Sequence, residues 1–379
     1  MCTRAILLLA AGAVSACAGR GPALRPILSL GPAPAWPPQY NLTLSTAVFP
    51  HWGPAGTHDY DMWVPSHPWG LVQLDGSVGS ALCCTTGARN GTCEATQAAN
   101  ARAIKARFPE ARVFSYHNML LALGCFESQR DAMYDPSKAA FFYRYANGTV
   151  YNNPTYSAAL EVAAAAAAGD PVQPGEDQYL FNYSTAAAAD WVTARYPAAL
   201  GADLDGSFLD DRFFPEEHQA VVTALNMTPA DVARYAAAQA AALARVLAAF
   251  QAAGKAVYFQ LAEPGAGIHW NGTDTAKCST YMRAFCSPVW QTQAILVPIS
   301  FIPNVTMSIA SFLLARGGTA YIGYGWPSDD SEWRPEFEMN VGEPEGLCME
   351  APANRFARNY TFGEVFLDCN DFSFSVPHA

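Results

Sequence analysis

The chain has 379 residues, of which 51% are hydrophobic and 15% charged, and its formal net charge is -11. This composition predicts a globular protein with a large core and excludes a disordered one. Because the chain is acidic and has no cluster of Lys and Arg, nucleic acid and anionic membrane surfaces are excluded as favourable partners.

Residues 1–18 have the pattern of a secretory signal peptide. Arg4 provides the positive charge, residues 5–14 are apolar, and Ala16-Cys17-Ala18 matches a cleavage site of small residues. The apolar run is too short to span a bilayer, so we expect a secreted or lumenal protein with no stable membrane anchor. The cysteine in the cleavage site leaves a lipoprotein as the alternative. A leader rich in Pro and Gly follows over residues 19–40.

Asn-x-Ser/Thr triplets are spread evenly along the chain, and they predict N-linked glycans at several positions of a secreted protein. The eight asparagines are Asn41, Asn90, Asn147, Asn182, Asn226, Asn271, Asn304 and Asn359.

Eight cysteines remain after removal of the signal peptide, and an oxidising compartment predicts that they form disulfides. Short loops favour the pairs Cys278–Cys286 and Cys348–Cys369. The other four would then pair among themselves: Cys83, Cys84, Cys93 and Cys125. A zinc site is the alternative, but the spacing does not match paired Cys-x-x-Cys motifs.

Eight apolar runs of strand type alternate with helical patterns along residues 41–330. The predicted strands cover residues 46–50, 71–75, 112–115, 178–182, 207–209, 256–261, 294–300 and 319–323. This alternation predicts an α/β fold with a parallel sheet, and eight units predict a (β/α)8 TIM barrel. Residues 331–379 form a C-terminal extension, in which residues 363–367 and 372–376 predict a short β-hairpin packed on the barrel.

Two adjacent carboxylates, Asp210 and Asp211, follow the predicted strand over residues 207–209. A charge at the end of a buried strand costs desolvation energy, so its presence indicates a functional or structural role. In an α/β barrel the C-terminal strand ends form one face, where catalytic acids are found. The alternative is structural: Asp210 would cap the next segment and Asp211 would pair with Arg212.

Polar and aromatic residues lie at or just beyond the ends of several other predicted strands, and we expect them to contact a substrate. They are His51, Trp52, Asp75, Tyr116, His117, Asn118, Gln260 and Trp326.

Two carboxyl groups across a cleft are the machinery of glycoside hydrolysis. We assign Asp210 as nucleophile or base and Glu263, at the end of the following strand, as proton donor, with Asp211 as a further candidate. A serine hydrolase is not supported, because the sequence has no Gly-x-Ser-x-Gly motif. The sequence also has no phosphate-binding loop, and we expect no cofactor. A metal-dependent hydrolase is a weaker alternative, because no metal-binding His spacing occurs.

Several segments resemble the glycosyl-hydrolase-like family 15 group. The resemblance is carried by Phe181-Asn182-Tyr183-Ser184, Ala189-Asp190-Trp191, residues 204–211 (Leu-Asp-Gly-Ser-Phe-Leu-Asp-Asp), Arg316-Gly317-Gly318, Gly342-Glu343-Pro344 and residues 359–365. It implies a TIM barrel, a carbohydrate substrate, and functional roles for Asp205 and Asp210. The chain departs from the family pattern at Tyr183, where Pro is usual, and at Gln260, where Asn is usual.

The sequence therefore predicts a secreted glycoside hydrolase that acts on a poly- or oligosaccharide without a cofactor. The alternative is a catalytically silent barrel that only binds glycan, because a fold does not by itself determine a function.

Overall fold

The computed structural model describes a large part of the chain. The described residues are 36, 38–50, 63–75, 93–152, 178–211, 218–260, 273–286, 288, 295–298, 304–324 and 330–378, with backbone only for 259–260 and 295–298.

The centre of this α/β fold is a curled parallel sheet. Its described strands, in order around the sheet, are β1 (Thr46–Val48), β2 (Leu71–Leu74), β3 (Arg112–Asn118), β6 (Gly206–Asp210), β7 (Ala256–Gln260), β8 (Ile295–Pro298) and β9 (Tyr321–Gly323). Each strand pairs with the next, and β9 pairs back with β1 through Ala47 and Gly323, which closes the sheet. All of the paired strands run parallel, as the alternating pattern predicts.

The described residues form seven of these strands rather than the predicted eight. The run predicted over residues 178–182 is β5 (Gln178–Leu180), and it pairs antiparallel with β4 (Leu121–Leu123) in a separate sheet. Strand β4 follows β3 after only two residues and is fully buried, so it offers an apolar edge close to the end of β3. A short apolar run does not reveal which sheet it will join.

Seven α-helices lie among the described residues. They are α1 (Cys93–Arg107), α2 (Glu127–Tyr134), α3 (Ala186–Ala199), α4 (Gln219–Ala224), α5 (Pro229–Ala252), α6 (Thr275–Phe285) and α7 (Val305–Ala315). Helix α5 begins where its sequence predicts, because Thr228 and Asp231 form a reciprocal capping box. None of the helices in the described ranges combines the length and apolar character needed to cross a bilayer.

The interior of the closed sheet is filled by inward-facing side chains. They are Ala47, Phe49, Leu71, Phe114, Phe208, Ala256, Tyr258 and Tyr321. Gly206 opens β6 because an added Cβ atom would come within 2.1 Å of the Ala256 carbonyl oxygen. From the leader, Trp36 packs edge-on against Phe114 with ring centroids 5.9 Å apart.

A four-stranded antiparallel sheet forms the C-terminal part of the chain. Its strands are β10 (Met349–Glu350), β11 (Arg355–Tyr360), β12 (Gly363–Asp368) and β13 (Phe374–Ser375), paired in that order. The two predicted C-terminal strands correspond to β12 and β13, which belong to this larger sheet rather than to a separate hairpin.

Two disulfides join helix α6 to this sheet, and both differ from the predicted pairs. Cys278 bonds to Cys369, and Cys286 bonds to Cys348. The predicted pair Cys278–Cys286 is excluded because the two residues are eight positions apart along helix α6. They are therefore about 12 Å apart along the helix axis, beyond the reach of a disulfide. Strand β11 lies between β10 and β12, and the register places Cys348 level with Arg358 but Cys369 level with Asn354, so these two cysteines lie more than about 10 Å apart, too far to bond.

Candidate active site at the C-terminal strand ends

The candidate site lies where strands β3 and β6 end side by side. Tyr116 is paired with Phe208, and Asn118 with Asp210. Since side chains alternate along a strand, Asp210 shares the inward face with Phe208 of the interior cluster. The structure therefore places Asp210 inside the closed sheet, at the C-terminal end of its strand.

The Asp210 carboxyl group is partly buried and has no cationic partner within the described part of the chain. Its Oδ2 atom accepts a hydrogen bond of 2.8 Å from the Tyr116 hydroxyl. Burial, followed by repulsion from the Asp211 carboxylate, raises the pKa of Asp210 to about 7, and Asp75 contributes in the same direction. Asp210 is therefore a carboxyl group that exchanges a proton near neutral pH.

Asp211 is brought into the same network by an unusual backbone conformation. In an extended strand its side chain would point away from that of Asp210, but its φ of 48° turns the chain. Its Oδ2 atom accepts a hydrogen bond of 2.7 Å from Asn118 Nδ2, and its Oδ1 atom lies 4.0 Å from His218 Nε2. Its side chain remains 38% exposed.

Asp75 also lies at this end of the sheet. It follows β2 directly, and the pairing of Leu74 with Ser115 places it level with Tyr116. Asp75 is buried, and its charge acts on Asp210. The predicted residues Asp75, Tyr116, Asn118, Asp210 and Asp211 are therefore brought together.

Asp205 is not part of this group, although the family resemblance implies a functional role for it. It precedes β6 and lies at the opposite end of the strand. Its carboxylate accepts a hydrogen bond of 2.8 Å from Val113 N and forms ion pairs with Lys105 at 2.9 Å and Arg112 at 3.7 Å. These contacts give Asp205 a structural role in place of the functional role, as a substrate contact, that the family resemblance implies.

His117 is also turned away from the site, because it occupies the outward-facing position between two inward ones. Its Nδ1 atom lies 2.7 Å from Ser207 Oγ, and its ring packs on Phe126 and Tyr196. Burial lowers the pKa of His117 to about 3, so the imidazole stays neutral. We correct its assignment as a substrate contact to that of a core residue.

The other predicted site residues lie outside the described side chains. They are His51, Trp52, Gln260, Glu263 and Trp326. Their assignments remain predictions, and Gln260 is placed only by its backbone, as the last residue of β7.

Sequence reasoning missed two polar residues that support the site. Gln239 Nε2 donates to the backbone oxygens of Met119 and Asp211, at 3.0 and 3.2 Å. Tyr258 donates to Gln73 Oε1 at 3.0 Å inside the sheet. In the sequence, the signal for Gln239 was a polar residue within an alanine-rich helix.

A metal centre finds no support in the described ranges, where no group of three or more His, Cys, Asp or Glu side chains could hold an ion. The chain's histidines His51 and His269 lie outside those ranges.

No protein-family model matches the chain, and no curated protein is found to be similar to it. The resemblance to the glycosyl-hydrolase-like family 15 group therefore remains a prediction.

Several solved structures, among them glycoside hydrolases, show weak similarity to the chain. A GH31 dextranase of Flavobacterium johnsoniae, complexed with glucose, has a TM-score of 0.45 at 11% identity, over 81% of this chain and 39% of that one. An alpha-galactosidase of Thermus thermophilus has a TM-score of 0.42 at 12% identity, over 90% of this chain and 68% of that one. Ega3 of Aspergillus fumigatus, complexed with galactosamine, has a TM-score of 0.32 at 10% identity, over 77% of this chain and 97% of that one. The TM-scores and sequence identities are too low to indicate a function for this chain.

Proposed function

We propose that the protein is a glycoside hydrolase that acts on a poly- or oligosaccharide, with Asp210 as its central carboxyl group. The observation that carries the proposal is the environment of Asp210. It lies inside a closed parallel sheet, at the C-terminal end of its strand, without a cation among the described residues and with a pKa raised to about 7.

Glycoside hydrolysis needs a carboxyl group that can give up or take a proton at working pH. The raised pKa suits Asp210 to this task better than to that of a nucleophile, which must be ionised. Asp211 supplies a second carboxyl group in a different environment, because it is more exposed and accepts the Asn118 amide. Glu263 lies outside the described residues and remains our proposed catalytic partner of Asp210.

Two disulfides within the described residues support folding in an oxidising compartment, and we propose secretion after removal of residues 1–18. We further propose that residues 41–330 form the hydrolytic unit and that residues 331–379 pack on it. N-glycans at several of the eight triplets belong to the same proposal.

The test is a panel of poly- and oligosaccharides assayed with the wild type and with Asp210→Asn. We expect the variant to lose about 10²–10⁴-fold in kcat/KM on the best substrate, because the proton-transferring group is removed. Asp190→Asn is the matched control, since Asp190 lies on helix α3 and forms an exposed ion pair with Arg245.

Equal turnover by the wild type and Asp210→Asn would remove Asp210 from the mechanism. Binding of a glycan without turnover by the wild type would instead support the catalytically silent barrel.

A further inference from the structure

Asn118 is fully committed to contacts within the protein. Its Oδ1 atom accepts hydrogen bonds from Leu120 N and Leu121 N, both at 2.8 Å. Its Nδ2 atom donates to Tyr116 Oη at 2.9 Å and to Asp211 Oδ2 at 2.7 Å. A side-chain amide has two donor hydrogens and two acceptor lone pairs, so Asn118 has no hydrogen-bonding capacity left for a substrate.

The orientation of this amide follows from its neighbours. A backbone N–H can only donate, so the oxygen of Asn118 must face Leu120 and Leu121. The amino group must then face Tyr116, whose hydroxyl oxygen accepts one of its hydrogens. The hydrogen of Tyr116 is consequently directed at Asp210 Oδ2, 2.8 Å away.

This direction separates the two oxygens of Asp210. Oδ2 faces a donor hydrogen, so a neutral Asp210 carries its own proton on Oδ1. The same amide donates its other hydrogen to Asp211 Oδ2, so one buried side chain contacts the hydrogen-bond network of both adjacent acids.

We propose that Asn118 is a positioning residue that, acting through Tyr116, keeps the transferable proton of Asp210 on Oδ1. This assignment replaces the expected substrate contact of Asn118.

The catalytic consequence rests on the proposed glycoside hydrolysis. The Oδ1 proton of Asp210 passes to the glycosidic oxygen, which leaves as an alcohol when its bond to the anomeric carbon breaks. A water molecule supplies its oxygen to that carbon, and the proton that the water releases returns to Asp210, which has become a carboxylate.

The experiment follows the titration of Asp210 in protein labelled with ¹³C at the aspartate carboxyl carbons, with the signal identified by its loss in Asp210→Asn. Tyr116→Phe removes a donor that stabilises the carboxylate, so we expect the pKa of Asp210 to rise by about 0.5–1 unit. Asn118→Ala frees the Tyr116 hydroxyl to accept from neutral Asp210, so we expect a rise of similar size. The double variant should show no larger shift than Tyr116→Phe alone, because Asn118 acts through that hydroxyl.

Tyr235→Phe is the matched control. It removes another buried tyrosine hydroxyl, but one that donates to the Phe181 carbonyl oxygen at 2.9 Å rather than to Asp210, so the titration of Asp210 should not move. An unchanged titration in Asn118→Ala, or additive shifts in the double variant, would overturn the inference.

If Asn118→Ala does not fold, neutron diffraction of the wild type below pH 7 decides the question. A deuteron on Oδ1 of Asp210 supports the inference, and a deuteron on Oδ2 that points at Tyr116 overturns it. Neither measurement needs a substrate, so its outcome is independent of whether the protein hydrolyses a glycan.

Discussion

The two ends of strand β6 each carry an aspartate, in opposite electrostatic environments. Asp205, just before the strand, accepts a backbone N–H and lies within ion-pair distance of Lys105 and Arg112. Asp210, at the other end, accepts hydrogen bonds from the Tyr116 hydroxyl and the Asp211 backbone N–H but has no cationic partner among the described residues, and it lies near two further carboxyl groups.

This difference shows that one strand can carry an aspartate paired with cations at one end and an aspartate without a cation at the other. A carboxylate that is paired and hydrogen-bonded contributes to folding, whereas one that lacks a cation destabilises the ionised protein. In α/β barrels the N-terminal strand ends carry stabilising residues and the C-terminal ends carry catalytic ones. Asp205 fits the first half of this division, and the role that we propose for Asp210 fits the second.

The largest effect on folding is expected for Asp205→Ala. The change leaves Val113 N–H without its acceptor and two cations without their partner, so we expect the free energy of unfolding to fall by about 3–4 kcal/mol. Urea unfolding at pH 7 measures it. Asp203→Ala is the control, because its ion pair with Arg102 is exposed and should contribute less than about 1 kcal/mol. Equal losses in the two variants would contradict the structural role of Asp205.

A somewhat smaller effect is expected from the titration of Asp210. Its pKa is raised in the folded protein to about 7, so the folded state holds the proton more tightly than the unfolded state. Its contribution to stability is complete below pH 4 and is lost as the pH rises through 7. Between pH 5 and pH 8 the wild type should lose about 2–3 kcal/mol through this group.

Asp210→Asn should remove this pH dependence, because an amide does not titrate in this range. Urea unfolding of both proteins at several pH values measures the difference between them. Parallel stability curves for the wild type and the variant would show that Asp210 has an ordinary environment.

The smallest effect is expected for Lys105→Met. The change removes one cation from Asp205 but keeps the hydrogen bond from Val113 N–H, so we expect a loss of about 1–2 kcal/mol in urea unfolding. Part of this loss comes from the hydrogen bond of Lys105 to the Asp203 carbonyl oxygen. A loss as large as that of Asp205→Ala would mean that the cation, rather than the backbone contact, dominates this end of the strand.

The position of Asp210 could be predicted because it depends on a local pattern. An apolar run that ends in acids indicates a buried strand with a polar end, and parallel strands align those ends. The turn at Asp211 was not predictable, since a left-handed aspartate has no reliable sequence signal. Asn118 was predicted as a site residue, but its commitment to internal hydrogen bonds depends on neighbours that only the fold supplies.

By itself, the sequence determined the α/β alternation, the start of helix α5 and the delivery of a carboxyl group to a strand end. These features depend on contacts between residues close in the chain. Only the tertiary structure decided that Asp205 is paired with cations, that His117 faces outward, and that disulfides join helix α6 to the C-terminal sheet. Each of these depends on strand register or on distances between remote segments, which no local pattern encodes.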